Sequence, residues 1–163
     1  MKKLIIILFV CLAILSGCGK NHTEEATEPI GQMQLGNPWK SYDTLVDAEN
    51  ACGLTFPIPE EIAGGYVPET YRVMNNNLLE VRYRCENTEI TVRMQADDDK
   101  DISGIYENFT AVETTDRNGA SVTRKEAADC LVYLVCSNSH SFSVCVTGAA
   151  SESVCDEILS HIC

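Results

Sequence analysis

Basic residues are scarce in this chain: 12 lysines and arginines stand against 24 aspartates and glutamates in 163 residues. So little positive charge disfavours nucleic acid as a partner, and polybasic attraction to anionic lipid, because both set cations against phosphates. Histidine is scarce too, at three, and although nine cysteines are present they form no C-x-x-C pair. That argues against structural zinc, whose ligands come in closely spaced pairs. Long apolar runs are also lacking. The N-terminal one, Leu4 to Leu15, is too short for a comfortable permanent span of a bilayer. No internal repeat is visible.

What the N-terminus does contain is an address. Lys2 and Lys3 make a positive n-region, Leu4 to Leu15 an apolar core, and Leu15-Ser16-Gly17-Cys18 resembles a bacterial lipobox. In proteins with this signature the cysteine thiol receives a diacylglyceryl group and the preceding peptide is removed. The expected organisation is therefore a signal peptide over 1–17, a lipidated Cys18 with a flexible tether over 18–36, and one folded domain over 37–163. Two acyl chains give the stable anchoring that a single chain does not. Losing Lys2 and Lys3 with the leader takes the formal charge from −12 to −14.

The tether is polar, with Glu24, Glu25 and Glu28 and almost no apolar periodicity. As a flexible chain it reaches only a few nanometres. Beyond it, Ser41 or Asp43 is placed to cap a short helix through Leu45, Val46, Ala48 and Ala51, stopped by Gly53. An extended segment follows over 67–74. Leu79, Val81, Tyr83 and Cys85 alternate with charged residues, as do Ile90, Val92 and Met94 across a turn at Glu86-Asn87-Thr88. Period two predicts an antiparallel hairpin with one dry face. Asn118-Gly119 signals a second hairpin, and the segments 130–136 and 141–147 a third. Ser151 is placed to cap a last helix whose Cys155, Ile158, Leu159 and Ile162 recur at helical spacing. The expectation is an α+β domain: a mainly antiparallel meander sheet of about seven strands with a helix near each end.

The order Ala-Gly-Gly-Tyr-Val-Pro at 63–68, the hairpin beginning Leu79-Glu80-Val81, Asp101-Ile102-Ser103-Gly104 with Tyr106, and the Tyr133 and Phe142 strands before a terminal helix resemble a lipoprotein domain family of unknown function. It is the family numbered 4367 among such domains, found in Gram-positive envelope lipoproteins. The resemblance spans about 37–162 and implies an extracytoplasmic β-rich module, with no catalytic residue to carry over. The chain departs from the family in having Leu134 where a tryptophan is common, and in its wealth of cysteine.

Several constellations invite chemistry. Asp97, Asp99 and Asp101 are the candidate ligands for a hard cation such as calcium. The spacing is not that of an EF-hand, because Ile102 stands where glycine is required and Asn108 where glutamate is; the alternative is a solvated loop. With Cys11 lost and Cys18 alkylated, Cys52, Cys85, Cys130, Cys136, Cys145, Cys155 and Cys163 remain, an odd number. Pairing the last hairpin across Ser137-Asn138 sets Cys130 directly opposite Cys145, and a four-residue loop makes them diagonal neighbours. Either register leaves both on one face, with Cys155 of the helix above them, so Cys130 and Cys145 are the candidate disulfide. A thiol enzyme would need His140 or His161 beside Cys136, Cys145 or Cys155. Tyr66, Tyr71, Tyr83, Tyr106 and Phe109 either fill the core or line a groove for peptide, glycan or lipid. The chain thus reads as a membrane-anchored, non-enzymatic module that binds or senses an envelope ligand. The alternatives are an accessory lipoprotein acting through protein contacts and, third, a metal- or thiol-dependent enzyme.

Overall fold

Residues in left-handed conformation sit in the hairpin turns of this domain, and in two of the turns they are asparagine or glycine. Asn75 and Asn76 (φ 53° and 57°) turn the chain between β2 (Val67–Met74) and β3 (Leu78–Cys85), and Asn118 and Gly119 (φ 54° and 85°) between β5 (Ala111–Arg117) and β6 (Ala120–Glu126). Positive φ at both central residues is what the two-residue turn at Asn118-Gly119 demands, and asparagine and glycine bear it most easily; Asn75 and Asn76 are the first two of a three-residue loop. The remaining strands are β1 (Trp39–Tyr42), β4 (Thr88–Gln95), β7 (Cys130–Ser137) and β8 (His140–Thr147), and the helices are α1 (Leu45–Cys52) and α2 (Glu152–Ile162). The computed structural model describes residues 36–97, 101–137, 139–149 and 152–163. The expected signal peptide, Cys18, the expected tether up to residue 35, Asp98, Asp99, Lys100, Asn138 and the expected cap Ser151 lie outside them.

All eight strands form one antiparallel sheet in the order β1-β2-β3-β4-β8-β7-β6-β5. The α+β expectation holds, with one strand more than foreseen: β1 precedes α1, where the sequence reading had placed a helix cap. Thr44 is the true cap, its side chain accepting from Asp47 N at 3.1 Å. Neither Ser41, inside β1, nor Asp43 does this work. Gly53 (φ 71°) stops the helix as expected.

One face of the sheet carries Val73, Leu79, Val81, Tyr83, Ile90, Val92, Met94, Val135, Phe142, Val144 and Val146, packed under α1, the 53–66 loop and α2. α2 turns Val154, Cys155, Ile158, Leu159 and Ile162 inward. The buried Tyr83 hydroxyl donates to the Pro59 carbonyl at 3.1 Å, which ties the loop to the sheet. Tyr66 and Tyr83 are therefore core residues, not groove residues.

The opposite face is not simply wet. Four antiparallel steps separate β4 from β5, so those two strands point the same way. The chain must therefore return along the sheet between them, as any connection between equally directed strands must. It does so over this second face, where Ile102 and Ser103 are buried and bonded to Arg93 of β4, and where Ser141 and Ser143 of β8 are buried as well. The single dry face expected of the β3–β4 hairpin is thus two covered faces at the centre of the sheet. Among the described residues no helix is long and apolar enough to cross a membrane.

Candidate functional site

The second face is organised around Glu80. Alternation puts it beside Arg82 on β3 and opposite Arg72 of β2 and Arg93 of β4. Its carboxylate is wholly inaccessible (0 % exposed) and accepts from Arg72 Nε at 2.9 Å, Arg82 Nε at 2.9 Å and Arg93 Nε at 2.8 Å, with Arg72 Nη2 as a further close partner. Burial pushes the Glu80 carboxyl up, but the Arg72 and Arg93 guanidiniums outweigh it and hold the group below its ordinary value. Trp39 of β1 lies over the same cations, its ring centre 4.7 Å from the Arg72 guanidinium carbon and 5.5 Å from that of Arg93.

Arg93 also anchors the crossing segment, because its Nη1 donates to the carbonyls of Ile102 (2.9 Å) and Ser103. Where that segment leaves the sheet it forms a cleft of about 610 Å³ with β1, β2 and the β4 end. Trp39, Met74, Leu78 and Ile102 supply apolar walls; Arg93, Gln95 and Asp101 supply polar groups; Tyr106 stands at the rim. Tyr106 is 97 % exposed, so its ring contributes nothing to the core. A concave apolar lining with a few convergent polar groups is the usual character of a small-ligand site. A second cleft of about 580 Å³ opens at the start of β7 between Asn87, Glu126 and Gly148, but no aromatic side chain lines it.

The sequence reading had named Tyr106 and missed Trp39, Glu80 and the three arginines. Tyr71 packs at the margin of the core, and Phe109 lies 5.1 Å from Lys125 Nζ. The acidic segment divides. Asp97 follows β4, Asp99 lies outside the described residues, and Asp101 is occupied: it accepts from Ser103 N at 3.0 Å, Ser103 Oγ at 2.6 Å and Lys125 Nζ at 2.8 Å. Burial raises its carboxyl, and the bonds from Lys125 and Ser103 more than reverse that. Among the described residues no three histidines, cysteines or acids gather as a metal-holding group.

The cysteines fall on both faces. In the last hairpin Ser137 pairs with His140, Cys130 with Thr147 and Val132 with Cys145, so Cys130 and Cys145 are diagonal neighbours on the second face. Burial pushes the Cys145 thiol up to about 11. Cys155 is not above them. It belongs to the core on the opposite side of the sheet, because α2 covers the other face. His140 shares the core side with Phe142 and, with His161, borders a small cavity of about 200 Å³. Strand alternation therefore turns it away from Cys136 and Cys145. Comparison of the chain with protein-family models, with curated proteins and with solved structures finds no match in any of the three.

Proposed function

We propose that this chain is a lipid-anchored extracytoplasmic module that binds an envelope ligand in the cleft between Trp39 and Tyr106. The lipobox-like Leu15-Ser16-Gly17-Cys18 supports the anchor. One observation carries the binding reading: a nearly fully exposed tyrosine stands across a 610 Å³ cleft from a tryptophan whose ring is stiffened by two guanidiniums. An aromatic ring left in water at the rim of a concave site offers stacking area, and Arg93, Gln95 and Asp101 offer orientation. Binding would need little rearrangement of this wall, since the ionic cluster beneath it holds Trp39 and the crossing segment in place. The function is presentation without covalent chemistry. Lipid fixes the location, the tether sets a reach of a few nanometres, and the domain offers the cleft.

Thermal unfolding of the full chain against peptidoglycan fragments, lipids and peptides tests the reading. A ligand at 100 times its dissociation constant adds about 2.7 kcal/mol, a rise of several degrees for a domain of this size.

A second reading, assembly through protein contacts, draws on the far edge of the sheet. β5 is exposed along nearly its whole length, with Val112 at 62 % exposure. An open edge strand offers unpaired backbone groups to a partner.

A further inference from the structure

We propose that β5 is the contact through which two copies of this chain pair, edge to edge and antiparallel, about a two-fold axis at Thr115. The proposal rests on the assembly reading of that edge and names its partner. β5 stands last in the order of strands, and among the described residues no strand pairs with its outer side. Its sequence, Ala-Val-Glu-Thr-Thr-Asp-Arg, has no proline or lysine, and its register with β6 runs without a bulge. Those are devices that commonly blunt an open edge.

The turn fixes which backbone groups face outward. Asn118-Gly119 is a two-residue loop, so Arg117 and Ala120, which flank it, are a hydrogen-bonded pair, and alternation makes Thr115 and Glu113 bond to β6 in the same way. Thr114 belongs to the intervening kind of pair, in which side chains come closer. Its hydroxyl accordingly lies 3.0 Å from that of Thr123. The N–H and C=O groups of Val112, Thr114 and Asp116 therefore point away from the sheet.

Charge selects the register. An antiparallel copy centred on Glu113 sets that acid against itself, and one centred on Thr114 sets it against a threonine. Centred on Thr115, Glu113 stands directly opposite Arg117 of the second copy, twice by symmetry, and no like charges face each other. Thr114 and Asp116 then exchange backbone hydrogen bonds with Asp116 and Thr114 of the second copy. Arg117 is already held on this face by Asp156 of α2, at 3.1 Å. β1, the opposite edge of the sheet, has only four residues, so a head-to-tail ladder gains little and the contact closes as a dimer. A ladder this short belongs to the weak, transient class of interface.

The test follows the mass of the full chain in detergent by sedimentation as its concentration is raised. The expected result is a reversible equilibrium between monomer and dimer. Glu113→Arg and Arg117→Glu each set like charges opposite, and each alone should dimerise about tenfold more weakly than wild type. An equal mixture of the two should recover a mixed dimer. Thr114→Pro removes an outward N–H without touching a bond to β6, and should weaken the dimer as well. Thr115→Cys places its thiol opposite itself, with Cα atoms about 4.5 Å apart, within bridging range. Oxidised glutathione should then yield a peptide linking position 115 to itself, which Thr114→Cys should not do at position 114. A chain that stays monomeric and forms no link at position 115 would overturn the second copy as partner while leaving the edge to another protein. A dimer that both Thr114→Pro and the single charge variants leave at full strength would overturn β5 as the contact, and the assembly reading of that edge with it.

Discussion

Gly104 presses its backbone against the guanidinium of Arg93. A Cβ at this position would overlap Arg93 Nη1, and the φ of 68° is one that L side chains rarely adopt. The same guanidinium reaches the buried Glu80 carboxylate through Nε. One side chain thus joins the ionic centre of the sheet to the segment that walls the cleft, and only glycine lets the segment come this close.

Gly104→Ala should therefore cost about 2 kcal/mol, from left-handed strain together with displacement of Arg93. Urea unfolding measures it. Gly53→Ala provides a comparison, since its φ is also positive (71°) but nothing lies within 4 Å of its Cβ position. The Gly104 variant should be the less stable of the two.

Glu80→Gln keeps the shape of the side chain and removes its charge, so that Arg72, Arg82 and Arg93 lose the carboxylate they share and Arg82 keeps only Glu89, 4.0 Å away. Loss of one partner from a buried ionic group costs about 3 to 5 kcal/mol. The expected signature is a lower urea midpoint at an unchanged slope. A loss below about 1 kcal/mol would show that the cluster is solvated.

Acid should weaken the domain through the same groups. Glu80 and Asp101 are both held below their ordinary values of 4.5 and 3.8. The unfolded chain then binds protons more readily than the folded one. Their contribution is complete above those ordinary values and is lost as pH falls through the lower folded ones. Stability followed from pH 6 downward should decline below about pH 4.5, and Glu80→Gln should decline less steeply.

Cys18→Ala should free the protein from the membrane fraction or leave it unprocessed, because acylation is the role proposed for the lipobox-like segment. Fractionation with radiolabelled palmitate reads both results. Membrane attachment of a fully processed Cys18→Ala protein would remove the anchor from the account.

Most of the architecture was legible in the sequence because it is written in period two. Leu79 to Cys85 and Ile90 to Met94 alternate cleanly, and Asn118-Gly119 names its own turn. β1 was hidden because Trp39 to Tyr42 is too short to show a period, and its place at a sheet edge is settled only by pairing with β2. The cluster at Glu80 was hidden by the same alternation that revealed the strand. A charged residue between Leu79 and Val81 reads as solvent-facing until the order of strands sends the 101–110 segment across that face. A clue was present in Leu131 to Val135 and Phe142 to Val146, whose nearly unbroken apolar character belongs to strands covered on both sides. Cys155 was misplaced because helical spacing reveals which residues face inward, not which face of the sheet the helix covers.

Trp39 is the only tryptophan in the chain, which makes it a built-in reporter for the cleft. The decisive measurement is its fluorescence as the full chain is titrated with peptidoglycan fragments, phospholipid headgroups and peptides, in wild type and in Tyr106→Ala. The ring of Tyr106 is too exposed for its removal to change stability by more than about 0.5 kcal/mol. A saturable change with one ligand class, weakened at least tenfold by Tyr106→Ala, is the predicted result. Binding that leaves Trp39 fluorescence unmoved, or that survives Tyr106→Ala at full strength, would contradict the cleft as the site.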